Sequence, residues 1–174
     1  MTVLIKDSQR SLKTDKKRIR IITEDLLTSL GLQGKDLSLL LVNNRAIKKM
    51  NKSWFGKDRP TNVISFSYMD SSPASFLEEY EEGVVKNDQS AEIIGDIIIS
   101  LERAKEEAEA ATCPFYERLF ALVVHGLVHV LGFNHETGKN EARRMKYREN
   151  KLLDYVRSHK SYKDLVFKQV GSNQ

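Results

Sequence analysis

The sequence predicts a fold that mixes β-strands with α-helices inside one domain, and three observations carry that prediction. The chain has 174 residues and a mass of 20.0 kDa, the size of a single domain that buries one core. Four runs have the length and composition of strands. Between and after them lie segments with apolar residues at helical spacing, bounded by capping and breaking residues.

Taken in order, Val3 to Ile5 start a short strand. Thr14 or Asp15 can cap a helix whose apolar stripe is Ile19, Ile22, Leu26 and Leu30, with Gly31 as its stop. Lys16, Lys17, Arg18 and Arg20 open that helix and read as a solvated surface. The run LSLLLVN, Leu37 to Asn43, is continuously apolar, and NRAIKKMNKSW after it reads as a short helix with Ile47, Met50 and Trp54 inward. Gly56 to Pro60 form a turn, and Asn62 to Tyr68 are rich in β-formers. Residues 69–90 are acidic, polar and broken by Pro73, which predicts a long mobile excursion between strands. Glu92 to Ser100 is a second strongly apolar strand. Two helices follow: LERAKEEAEAAT, and, from Pro114 at a helix start, FYERLFALVVHGLVHVLG, nearly all apolar and therefore buried. KNEARRMKYRENKLLDYVRS completes the core as an amphipathic helix with Ala142, Met145, Leu152 and Val156 inward, and the basic tail 159–174 is a candidate for partial disorder.

Hydrophobic residues at 40% and charged residues at 30% exclude disordered and collagen-like chains. The formal charge of +4 gives a mild attraction to polyanions, a property shared with many proteins that have no nucleic-acid partner. Cys113 is the only cysteine, which rules out an internal disulfide framework and a CxxC metal site and suits a reducing cytosol. No apolar stretch approaches the length that spans a bilayer, and the three-residue run near the start is too short for a signal segment, so a cytoplasmic location without membrane contact is expected.

The chemistry is carried by His125-Gly-Leu-Val-His129-Val-Leu-Gly132-Phe-Asn-His135. Two histidines four residues apart on a helix lie one turn apart on the same face and can chelate one ion. Gly132 ends the helix and lets the chain double back, so that His135 becomes the third ligand. Three neutral nitrogens leave a fourth tetrahedral position for water, the arrangement of a catalytic zinc. Unpaired imidazoles buried on a core helix would each leave polar atoms to satisfy, a cost that coordination removes. His159 lies in the polar tail and is read as no ligand.

The spacing matches that of HExxHxxGxxH metalloproteases, but Gly126 stands where those enzymes carry their Glu base, so a peptidase of that kind is not expected. HGLVHVLGFNHE resembles instead the YbeY family of bacterial rRNA-maturation endoribonucleases, whose pattern is HGxLHLLGYDH. Two further segments resemble the family at matching places: Met50-Asn51 with Gly56-Lys-Asp-Arg-Pro-Thr-Asn-Val-Ile-Ser-Phe66, and Ile94-Gly95-Asp96-Ile-Ile-Ile-Ser100. With the helix bearing Glu136, Glu141, Met145 and Glu149, the likeness runs from about residue 35 to residue 157. The resemblance implies a zincin-like α+β fold, with a mixed sheet of about four strands and the metal site on a long buried helix. It also implies one Zn²⁺ per chain and single-strand-specific endoribonuclease activity in maturing the 3′ end of small-subunit rRNA. A part in ribosome quality control follows, with RNA, the small ribosomal subunit and ribosome-associated proteins as partners.

Two departures bear on the site. Where the family usually has Arg before Gly-Lys-Asp, this chain has Phe55, and Arg59, four residues on, is the candidate to meet the same phosphate. Asn134 replaces the Asp that commonly precedes the third ligand, removing a charge while keeping a hydrogen-bonding group. Thr61, Asn62 and Ser65 either line the cleft or hold a turn and strand edge. Met145 reads as a core residue before it reads as a floor beneath the metal. In the expected reaction, Arg59, Lys57 or tail lysines neutralise developing phosphate charge, and Glu136 is the candidate acid or base. Two other readings remain open at this level: a metal-dependent hydrolase of another substrate, and a non-catalytic assembly factor that zinc merely stabilises.

Overall fold

The computed structural model describes residues 2–69, 92–133 and 138–171. Its strands are β1 (Val3–Asp7), β2 (Lys35–Val42), β3 (Val63–Ser67) and β4 (Glu92–Ser100). Its helices are α1 (Lys16–Ser29), α2 (Asn44–Phe55), α3 (Leu101–Ala110), α4 (Phe115–Val130), α5 (Lys139–Ser158) and α6 (Lys160–Gly171). The strands form one mixed sheet in the order β1-β2-β4-β3, with β1, β2 and β4 parallel and β3 antiparallel to β4. This is the α+β architecture with a four-stranded mixed sheet that the sequence led us to expect.

The continuous apolar runs have a simple cause: both faces of the two central strands are covered. Leu37, Leu39 and Leu41 of β2, with Ile97 and Ile99 of β4, join the large core beneath α1, α4, α5 and α6. Val42 and Ile98 point the other way, into a smaller cluster closed by Ile47 of α2 and Ile64 of β3. Helix starts follow their capping residues. The Asp15 carboxylate accepts from the Arg18 N–H at 3.1 Å, Asn43 caps α2 through the Ala46 N–H at 2.9 Å, and Ser100 caps α3.

α4 is the helix on which the site depends, and ten of its sixteen residues are buried. Its seat on the sheet requires small residues. A Cβ on Gly126 would lie 2.7 Å from Ile97 Cγ2, and one on Gly95 would lie 2.3 Å from the Phe66 carbonyl oxygen and 2.8 Å from Val130 Cγ1. The two glycines therefore let helix and sheet approach more closely than any side chain permits. The Ser67 hydroxyl donates to the Val130 carbonyl at 2.7 Å, which ties β3 to the last turn of α4 and engages one of the carbonyls that a helix end leaves open.

Three expectations change. Trp54, expected inward, is 51% exposed, because α2 is closed over its small cluster by Ile47 and Met50 while Trp54 rests its ring edge-on against Phe66. Ala142 is only half-buried, whereas Met145, Leu152 and Val156 are core residues. Where partial disorder was the expectation for the tail, residues 160–171 form a helix whose Tyr162 and Leu165 join the core. The excursion expected at residues 69–90 lies, apart from Met69, outside the described residues. No helix among the described residues is long and apolar enough to cross a membrane.

Candidate metal centre

One turn of α4 brings His125 and His129 together. Their Nε2 atoms lie 3.2 Å apart, and the rings stand nearly perpendicular, at 78° with centroids 4.6 Å apart. Both side chains are half-buried, so the pair opens to the surface from a helix that is otherwise packed nearly all round.

Behind His125 stands Glu149 of α5. Its Oε1 lies 2.6 Å from His125 Nδ1, and the Glu149 side chain is 13% exposed. A carboxylate at this distance accepts, so a proton sits on Nδ1, and the neutral ring then carries its lone pair on Nε2, the nitrogen that faces His129. Carboxylate–imidazole pairs of this kind fix the tautomer and orientation of metal-ligating histidines. Lys146 Nζ is 3.9 Å from the second carboxylate oxygen.

The pair also has the separation that an ion requires. Two nitrogens held at about 2.0–2.1 Å with a tetrahedral angle of about 109° lie about 3.3–3.4 Å apart. The observed Nε2–Nε2 distance of 3.2 Å is within tenths of an ångström of that value, so these two residues fit a four-coordinate metal with little rearrangement.

After α4 the chain reverses. Gly132 has φ +86°, its N–H donates to the His129 carbonyl at 2.8 Å, and the Phe133 N–H donates to the Val128 carbonyl at 3.1 Å. This is the glycine bend anticipated from the sequence. Phe133 is buried beneath the Arg148 guanidinium, 4.7 Å from its ring centroid, which holds the turn against α5. Asn134, His135 and Glu136 lie outside the described residues. Among the described residues no group of three His, Cys, Asp or Glu side chains has the arrangement to hold an ion.

Gly126 explains in steric terms why a protease-type base is missing. The position faces the Ile97 side chain of β4 so closely that even a methyl group requires a shift, and a Glu there would force Ile97 or the helix to move.

The other candidates are distributed around the fold. Arg59 is exposed on the turn between α2 and β3. That turn is pinned by buried Asn51, whose Nδ2 donates to the Arg59 carbonyl at 2.8 Å and whose own carbonyl accepts from the Lys57 N–H at 3.3 Å. Asn62 is engaged by the fold, with Nδ2 donating to Glu107 Oε1 at 3.1 Å, while Thr61 and Ser65 are half-buried. His159 pairs with Asp25, Nε2 to Oδ2 at 2.8 Å. Sequence reasoning named Glu149 only as part of the matched helix and gave it no contact with the histidines. Its signal was available: it continues the inward stripe Met145, Leu152, Val156 at helical spacing, and a carboxylate in an apolar stripe needs a partner.

A family model described as endoribonuclease YbeY matches residues 4–157. The endoribonuclease YbeY of Geobacter sulfurreducens is 36% identical over 154 residues, which span 88% of this chain and 94% of the relative. That of Aquifex aeolicus is 34% identical over 151 residues, spanning 87% and 89%. The solution structure of a Thermotoga maritima protein superposes with a TM-score of 0.58 over 91% of this chain and 94% of its own, at 22% identity, and so shares the fold. The match starts at β1, well before the motifs that first pointed to it, and takes in the four described strands and the helices through α5. The chain belongs to the endoribonuclease YbeY family.

Proposed function

We propose that this chain is a zinc-dependent endoribonuclease of the cytoplasm that cuts single-stranded RNA, matures the 3′ end of small-subunit rRNA and serves ribosome quality control. Residues 1–174 act as one domain, with the small ribosomal subunit and its associated proteins as partners. The observation that carries the reading is the pair of imidazoles on α4, 3.2 Å apart and backed by a carboxylate, in a chain whose family is named for endoribonuclease activity.

His125, His129 and His135 would hold one zinc ion. When bound, zinc supplies a Lewis acid and a water of pKa near 7, hence hydroxide at neutral pH. Glu149 keeps the His125 lone pair turned toward His129. Arg59 and Lys57, both exposed on the turn that leads into β3, bind the RNA backbone and neutralise charge that develops on its phosphate. Glu136 moves the proton, accepting it from the attacking group or returning it to the leaving oxygen.

The test is cleavage of a single-stranded RNA bearing the small-subunit 3′ precursor sequence, with and without chelator, by the wild-type protein and by His129→Ala. The proposal expects cutting that chelator abolishes, that added zinc restores and that the variant lacks. Cutting by the variant at the wild-type rate would overturn it. A variant that still associates with small subunits and supports growth would show instead that the metal serves the fold of an assembly factor.

A further inference from the structure

The position at which this chain departs from the family pattern, Phe55, forms part of a surface feature that the proposed chemistry does not use. Phe55 and Trp54, at the end of α2, are each 51% exposed. Both rings rest on Phe66 of β3: Trp54 edge-on, with centroids 4.8 Å apart at 87°, and Phe55 parallel, with centroids 6.3 Å apart at 7°. Two large rings half open to water are costly to leave uncovered, and a cluster of them marks a contact surface.

The charge around the cluster selects the partner. From Asn44 to Arg59 the chain carries six basic residues, Arg45, Lys48, Lys49, Lys52, Lys57 and Arg59, against one acid, Asp58. This helix and turn therefore carry a local surplus of five positive charges. All six side chains are exposed. Asp58 is already committed to Lys52 at 3.0 Å and Lys48 at 3.7 Å, and Asp96, opposite Phe66 in the sheet register, accepts a hydrogen bond from the Tyr68 hydroxyl. Lys57 and Arg59 make no ion pair with any described residue. Exposed aromatic faces within a field of lysine and arginine are what single-stranded nucleic acid binds: phosphates meet the cations and bases stack on the rings.

Topology connects this surface to the imidazoles. β3 is the sheet edge among the described residues, and its neighbours Phe66 and Ser67 face opposite sides. Ser67 is bonded to the last turn of α4, next to His129, while Phe66 lies under the aromatic cluster. A strand of RNA held at the imidazoles and crossing this edge meets the cluster on the other face.

We propose that Trp54, Phe55 and Phe66 form a base-stacking subsite for single-stranded RNA, in which Phe55 supplies stacking where the family pattern has a cation. The proposal rests on the ribonuclease reading above and adds to it where an unpaired base docks.

Trp54 is the only tryptophan, so its emission reports on this surface alone. The experiment titrates the full chain with a 2′-O-methyl oligouridylate, with an abasic strand of equal length and with polyphosphate. Emission is followed together with the anisotropy of labelled strands, for the wild type, Phe55→Ala and Phe55→Tyr. The expected result is quenching by the base-bearing strand alone, binding weakened roughly tenfold in Phe55→Ala, and recovery in Phe55→Tyr. Tight RNA binding with unchanged Trp54 emission and unchanged affinity in Phe55→Ala would overturn the subsite while leaving the ribonuclease reading intact. Absence of RNA binding by the wild type would sink both. Equal quenching by polyphosphate, or an emission change that depends only on protein concentration, would assign the surface to a simple anion contact or to a second copy of the chain and overturn the proposal.

Discussion

Replacing Glu149 separates the geometry of the imidazole pair from the stability of the fold. The carboxylate lies 2.6 Å from His125 Nδ1 and its side chain is 13% exposed, so the bond is short and its acceptor is largely buried. A hydrogen bond to a charged group is worth about 1.5–3 kcal/mol, and outer partners of metal-ligating histidines typically contribute about 10–100-fold in metal affinity, or about 1.4–2.7 kcal/mol. The two ranges coincide, as they should if the bond acts mainly by orienting the ring. Lys146, whose side chain is 70% exposed, adds little. His125 is 35% exposed, so in Glu149→Ala water can take up the freed Nδ1–H, and the loss of folding stability should stay near 1 kcal/mol. The assay is zinc affinity by competition with a chromogenic chelator, alongside a thermal melt of the metal-free protein. Glu149→Ala should bind about 10–100-fold more weakly with only a small change in Tm. Glu149→Gln, which keeps an acceptor but not the charge, should lose only a few-fold. A folded Glu149→Ala protein with wild-type zinc affinity would refute the reasoning.

Three other outcomes follow from particular contacts. Gly126→Ala places a methyl group 2.7 Å from Ile97 Cγ2, so despite a gain in helix propensity of about 0.5–1 kcal/mol it should destabilise by about 1–3 kcal/mol in urea; a more stable variant would show that the helix does not press on the sheet there. Burial pushes the Glu117 carboxyl up, but hydrogen bonds from Arg157 and Tyr162 and the Arg157 charge outweigh it and hold the group below its ordinary range. A depressed carboxylate contributes stability above its unfolded pKa and loses it as pH falls through the folded one, so wild-type Tm should drop on acidification; Arg157→Ala should narrow the gap in Tm between pH 7 and about pH 3, and an undiminished gap would count against this link. Arg59→Ala should lower RNA cleavage about 10-fold or more while leaving zinc binding intact, and Asn51→Ala, which unpins the same turn, should reproduce part of that loss; an unaffected rate in Arg59→Ala would remove it from the mechanism.

Much of the fold was legible because local signals agreed with the global arrangement. Strand runs such as EIIGDIIIS, the cap at Asp15, and the all-apolar helix with its glycine stop each state their structure in a few residues. What was not legible depended on contacts distant in sequence. Trp54 fits the helical spacing of an inward residue, but α2 covers only the small cluster around Ile47, and the ring is left to lie against a strand twelve residues on. The tail is basic, which argues for solvation, yet Tyr162 donates to Glu117 and is buried beside Phe120, so tertiary contacts order what composition left open. At the site, the His125–His129 pair follows from helical spacing alone, whereas the carboxylate behind it, 24 residues away, requires α5 to pack on α4.

The central claim, that the imidazole pair on α4 holds an ion, is tested most directly by the zinc content of the purified chain after dialysis against buffered trace metal, measured by mass spectrometry for the wild type and for His129→Ala. Close to one equivalent in the wild type and almost none in the folded variant is the predicted result. Equal zinc in both proteins, or none in either at micromolar free zinc, would contradict it.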